Sequence, residues 1–223
     1  MQILGRLLRN TEYVCLLMAI TGIYYIVAGI EYWMPNYMTA VLHINPTLAA
    51  SYYATTLLIA PISGVLVGGF ASSYYGGYNS QKSRELVLIL AWSCIGFTIP
   101  IPFVDSFRPF GVCMWGLLFF GGAMLPSLTG IMLSSVHENL RGSANSIATL
   151  SYNCFGWMPA PFIYGLVSKI MGDETAEEKS RLPLCFILYS CFFTLSMMTY
   201  VILKRLNSEK IAEQLQKAEE MFA

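Results

Sequence analysis

Charge is scarce in this chain. Of its 223 residues only 12% are Asp, Glu, Lys or Arg, while 56% are hydrophobic, and the mean hydropathy is +0.56. A soluble globular domain carries about 25% charge, so lipid rather than water is the solvent these residues fit. A surplus of either sign is also missing. Thirteen basic residues balance thirteen acidic ones, which leaves no basic footprint for nucleic acid.

Reactive constellations are equally absent. The six cysteines (Cys15, Cys94, Cys113, Cys154, Cys185, Cys191) lie inside apolar segments with no CxxC or Cys/His spacing. They read as small packing residues, with no metal or cofactor to hold. His137 and Glu138 do not begin an HExxH, because Arg141 stands where the second histidine belongs. The serine in Ile62-Ser63-Gly64 lacks the G-x-S-x-G context and has no histidine near it in sequence. An enzyme is therefore not expected. Neither is a channel, since there is no TVGYG filter and no arginine-repeat span. Period-2 alternation, the mark of a membrane barrel, is missing. No signal-peptide pattern opens the chain: MQILGRLLRNTE (1–12) is amphipathic and leads into a run too long for a signal h-region.

Long apolar runs are what the sequence does have. Six candidate spans cover Glu12–Met38, Leu48–Tyr75, Leu86–Val104, Pro109–Val136, Ala144–Met171 and Leu182–Leu203, each near or above the ~20 residues a crossing helix needs. The fold expected is all-α and integral to a membrane. Residues 1–11 form an amphipathic lead-in and 206–223 a tail helix with Ile211, Leu215, Ala218 and Phe222 on one face and a Glu213–Lys217 pair. The tail reads as a surface helix, with a partner or lipid-interface role as its alternative.

If the spans alternate, one side collects Arg6, Arg9, Lys82, Arg84, Arg141, Lys204, Arg205, Lys210 and Lys217. The other holds only Arg108, Lys169, Lys179 and Arg181, with Asp173, Glu174, Glu177 and Glu178. The positive-inside rule then puts both termini in the cytoplasm or its equivalent.

The spans differ in character. The third and sixth have no ionisable residue and little glycine. The second, fourth and fifth carry Gly64, Gly68, Gly69, Gly116, Gly121, Gly122, Gly130, Gly142, Gly156 and Gly165. Small residues let helix backbones approach in lipid. Spans three and six are thus expected at the periphery, and one, two, four and five in the packed or cavity-lining set. Each triplet ends in its most lipid-like member, as two three-helix repeats would. Pro61-Ile-Ser-Gly64-Val is faintly echoed by Pro161-Phe-Ile-Tyr-Gly165-Leu.

Two stretches carry a family resemblance. GGFASSYYGGY (68–78), running into Lys82 and Arg84, resembles the cytoplasmic loop motif of the major facilitator superfamily (G-x-x-x-D-x-x-G-R/K). Gly69 and Gly76 match its glycines, while Ser73 stands where the family has Asp, so a gating salt bridge there is in doubt. HENLRGSANS (137–146), with Arg141, is similar to the loop before the family's eleventh helix. GWMPAPFIYG (156–165) resembles a stretch of spinster-like members, with Trp157 in place of Asp. The resemblance implies the C-terminal six-helix half of a twelve-helix transporter fold, with spans one and four lining the central cavity and spans three and six facing lipid. It makes Gly69, Ser73, Gly76, Arg84 and Arg141 gating-loop candidates.

Among polar residues in the spans, Glu31 stands out as the one acid well inside a run. It shares a helical face with Tyr24, Val27/Ala28 and Pro35, with Tyr25 and Tyr32 beside it. Two readings stand. Glu31 contacts a cationic solute or carries a coupling proton, or it snorkels to the outer interface beside Tyr32 and Trp33. Pro35 is placed to break the helix near its exit. Tyr152 and Asn153, with Ser127 and Thr129, are either solute contacts or inter-helix glue. Pro126, Pro159 and Pro161 are expected to kink their spans.

The expected activity is alternating-access transport of a small solute, as part of a secondary transporter in a lipid bilayer. Half a pore needs a partner, either an N-terminal six-helix half in a longer chain or a second membrane chain. The alternative is a half-transporter kept as a non-transporting accessory subunit of a larger complex.

Overall fold

The computed structural model describes residues 2–78, 80–171, 175 and 177–222, excepting the side chains of 2, 3, 213, 217, 218 and 220–222. Among the described residues all regular structure is helical. The elements are α1 (Gln2–Arg9), α2 (Thr11–Ala40), α3 (Pro46–Tyr74), α4 (Gln81–Thr98), α5 (Phe107–Ser134), α6 (Arg141–Ser151), a π-helical segment (Tyr152–Trp157), α7 (Pro159–Ile170), α8 (Glu178–Tyr189) and α9 (Cys191–Phe222). Among the described residues five stretches are long and apolar enough to cross a membrane: Thr11–Ala40, Pro46–Tyr74, Gln81–Phe103, Phe107–Ser134 and Glu178–Gln216. The chain has the build of a multi-pass membrane protein.

Local chemistry sets the boundaries. Asn10 leaves helical geometry at φ −81°, ψ 97° and its side chain accepts from the backbone N–H groups of Glu12 and Tyr13, capping α2. Asn45 caps α3 through the N–H of Thr47, and Pro46 takes the first helical position, where a missing N–H costs nothing. The α3–α4 turn needs positive φ at Gly76 (+92°) and Gly77 (+82°), and the Gly77 N–H closes back on the Ser72 carbonyl.

The expected fifth span is not one regular helix. It is divided into α6, the π segment and α7, although the backbone stays right-handed at Ser151, Tyr152 and Met158. The Met158 N–H bonds the Asn153 carbonyl, five residues back. Pro159 is the physical cause: its ring crowds the carbonyl of residue 155 and supplies no N–H, so the turn before it widens. The sixth span likewise changes helix at Ser190, between α8 and α9. Pro35, by contrast, does not end its helix, since α2 continues to Ala40. It removes only the hydrogen bond to the Glu31 carbonyl, a loss that membrane helices tolerate. No break follows Arg205 either. The tail is the continuation of α9, with Ile211 and Leu215 exposed, while Ala218, Phe222 and the Glu213–Lys217 pair lie outside the described side chains.

Contacts define two ends. At one, the Asn10 amide donates to the Ser135 carbonyl (2.7 Å), the Tyr13 hydroxyl to the Ala144 carbonyl (2.7 Å), and Glu12 meets Arg205. At the other, Tyr52 donates to the Gly111 carbonyl (2.9 Å), Tyr164 to the Ser180 carbonyl (3.1 Å), and Arg181 binds Asp105 and Glu177. From the first, charged end, α2 runs to the second, aromatic end and α3 returns. Then α4 and α5 repeat the excursion, and α6–π–α7 and α8–α9 do so once more.

The centre is made by α2 and α5. Just over half of each apolar stretch is buried (56%), against 39% for α4, 44% for α8–α9 and 22% for α3. Thus α3 is packed on one side only. Its glycine stripe grips α5, while Leu58, Ile62, Val65, Leu66 and Phe70 point outward. The grip is close. A Cβ on Gly64 or Gly68 would overlap the carbonyls of Phe119 and Ala123, and one on Gly122 would lie 2.7 Å from the Pro61 carbonyl. Around this pair, α4 packs on α5, α9 on α2, the π segment on α2, and α4 on α9.

Candidate functional site

The site is built where the π segment meets α2. Gly156 allows the approach, since a Cβ there would sit 2.7 Å from the Thr21 carbonyl and 3.1 Å from the Tyr24 Cβ. That contact brings Tyr24 and Tyr152 into a parallel stack, with centroids 4.1 Å apart and planes at 10°. Thr149, one turn before the π segment, organises the rest. The Tyr152 hydroxyl donates to the Thr149 Oγ1 (3.1 Å), and the Asn153 amide to the Thr149 carbonyl (2.7 Å). Asn153 and Phe155 are exposed.

Glu31 is exposed on α2, seven residues and about 10 Å beyond Tyr24 on the same face. The buried phenol of Tyr53 on α3 lies within electrostatic range of its carboxylate and has no hydrogen-bond partner among the described residues. Tyr32 is exposed and edge-on to Trp33 at 5.3 Å. Trp33 is anchored by a bond from its indole N–H to the Pro161 carbonyl (3.2 Å) and by stacking on Tyr164 (4.3 Å). A carboxylate, a phenol stack and an amide therefore line one open strip along α2 and the π segment. Such a strip can hydrogen-bond a polar solute and hold a cationic group against both charge and aromatic face.

Other predicted residues fall elsewhere. Tyr25 sits beside the strip with its hydroxyl buried and unbonded among the described residues. Ser127 is fully enclosed and pairs with Ser72, which also accepts from Ser83 at 3.2 Å. It joins α3, α4 and α5 rather than facing the strip. Thr129 is half-buried on α5.

The gating-loop candidates lie at the charged end. Gly69 faces open space, Ser73 is exposed, and Gly76 supplies its positive φ. Arg84 is buried and paired with Glu209, while Arg141 pairs within its own turn, with Glu138 at 3.5 Å. Asp173 and Glu174 lie outside the described residues.

Sequence reading missed Tyr53, Thr149, the Ser72–Ser83–Ser127 cluster and the pairs made by Arg205 and Glu209. Of these only Thr149 carried a local signal, one turn before Asn153. The others depend on which helices meet.

The chain matches no protein-family model, and it has no significant match among curated proteins.

Proposed function

We propose that this chain is the six-helix half of a secondary transporter of the major facilitator type, moving a small solute by alternating access. The observation that carries the reading is an exchange symmetry in how the helices pair. Let α2, α3 and α4 form one triplet and α5, α6–π–α7 and α8–α9 the other. Then α3 on α5 corresponds to the π-containing rod on α2, and α4 on α5 corresponds to α9 on α2. The α2–α5 and α4–α9 contacts map onto themselves. The triplets start from opposite ends of the bundle, which is the pattern of inverted repeats. Glycines mediate the equivalent contacts, Gly64 and Gly68 on α5 and Gly156 on α2.

On this reading α6–π–α7 is a crossing, making six, and the charged end faces the cytoplasm by the positive-inside rule. The strip of Tyr24, Glu31, Tyr152 and Asn153 faces the solute path, which a second six-helix unit completes. The π turn supports this, because such turns recur at functional sites.

Cysteine accessibility tests it. In a background freed of the six native cysteines, single cysteines replace Asn153 on the strip and Trp92 on the outer flank of α4. In native membranes a membrane-impermeant maleimide should label position 153 and spare position 92. Equal protection of both would remove the aqueous path and leave the accessory-subunit reading.

A further inference from the structure

We propose that the seam between α4 and α9, on the flank away from the strip, is a binding site for an anionic phospholipid of the leaflet at the charged end. Two cavities lie in register along these helices. A polar one of about 290 Å³ is formed at the charged end by Arg84, Tyr200, Lys204, Arg205 and Ser208 with Glu12 and Glu209. An apolar one of about 100 Å³ lies deeper, lined on the seam by Ala91, Cys94, Ile95, Cys191, Leu195 and Met198, and backed by α2 and α5. From Arg84 to Ala91 is about 10 Å along α4, and Lys204 to Met198 on α9 is similar.

The charges favour an anion. Glu209 engages Arg84 and Glu12 engages Arg205, so each carboxylate is already matched by a guanidinium. Lys204 is exposed and has no ion-pair partner among the described residues. One positive charge is therefore in excess, beside the hydroxyls of Tyr200 and Ser208. Basic pockets between spans at the cytoplasmic face suit phosphate headgroups. The polar cavity alone would equally suit free phosphate. The apolar cavity in register beneath it selects a lipid. It is smaller than the ~150 Å³ that holds a benzene, and takes a segment of one acyl chain, the rest lying along the exposed Ile89, Trp92 and Phe192.

The site is independent of the transport reading, and its test reads lipid rather than uptake. The full chain is purified in detergent, exposed to phosphatidylglycerol or phosphatidylcholine, and its retained lipid counted by native mass spectrometry. Phosphatidylglycerol should be retained in preference, and Lys204→Glu should lower its occupancy at least about fivefold, the loss expected from removing one lysine at a headgroup before the added negative charge is counted. Gly121→Leu adds a side chain to the apolar cavity from α5, where a Cβ meets only the Cys94 sulfur at 3.9 Å. It should lower occupancy while leaving helicity and monodispersity intact. Ala91→Leu is the second filling variant and should act the same way. Equal retention of the two lipids, unchanged occupancy in Lys204→Glu, or unchanged occupancy in both folded filling variants overturns the proposal. So does a thermal stabilisation by inorganic phosphate alone that matches phosphatidylglycerol.

Discussion

Arg84, at the start of α4, is held by Glu209 of α9 across 125 positions of sequence, guanidinium to carboxylate at 2.5 Å. Arg84 is 5% exposed and Glu209 37%. One turn earlier on α9, Arg205 joins Glu12 of α2 and donates to the Ser134 Oγ of α5 at 3.2 Å. The end of α9 therefore straps three other helices at the charged end.

Glu209→Ala should destabilise the bundle by about 1–3 kcal/mol, less than a fully buried pair because Glu209 is partly solvated. A double-mutant cycle with Arg84→Ala, read from thermal melts in detergent, should give a coupling of at least ~0.5 kcal/mol. Additive single-site effects would show that the pair is incidental.

Gly68 and Gly69 are neighbours with opposite surroundings. A Cβ on Gly68 collides with the backbone of Ala123, while one on Gly69 meets nothing within 4 Å. Gly68→Ala should cost about 1–3 kcal/mol through overpacking against an unyielding carbonyl. Gly69→Ala should be neutral or gain up to about 1 kcal/mol of helix propensity. Comparing the melting temperatures checks both, and a reversed order would contradict the α3–α5 contact.

Ser127→Ala should lower stability by about 0.6 kcal/mol, the mean for an inter-helix hydrogen bond in a membrane, and on the proposed transporter reading should leave uptake intact. Ser72 keeps its bond from Ser83, so no buried hydroxyl is stranded. A loss of uptake without a loss of stability would return Ser127 to the solute path.

Glu31→Gln keeps the shape of the side chain and removes its charge. On the proposed transporter reading it should lower uptake in proteoliposomes, or abolish the dependence of uptake on external pH, with helicity unchanged. Identical uptake and pH profile in the variant would leave Glu31 as an interface residue alone.

Pro159→Ala restores an N–H that can bond the Phe155 carbonyl. The π turn should relax to an α-helix, rotating Tyr152 away from Tyr24. Tyrosine fluorescence anisotropy and solute uptake should change, while the melting temperature holds or rises. An unaltered uptake would mean that the π turn does not serve the strip.

Much of this protein is legible in its sequence because the bilayer allows so few solutions. Runs of about twenty apolar residues with internally satisfied backbones must be helices, and glycines spaced along them mark close approaches. Gly64, Gly68 and Gly156 all proved to be such contacts. Tyr24 and Tyr152 were separate solute-contact candidates, and their stacking comes from the structure alone.

The remainder needed the tertiary structure. Glycines in α3 marked it for the packed or cavity-lining set without saying which of its faces is shared: Gly64 and Gly68 meet α5, and the opposite side is open. Proline marks a weak point without saying whether the helix widens or continues: α2 and α5 run on through Pro35 and Pro126, while the turn before Pro159 widens. Ser127 could have faced solute or a neighbouring helix, and only the approach of Ser72 decides between them. The sequence by itself determined a helical membrane protein with a carboxylate, Glu31, in its first span. Which faces are shared, which stay open, and where Arg84 and Arg205 find their partners depend on contacts between residues far apart in the chain, and those exist only once the bundle has closed.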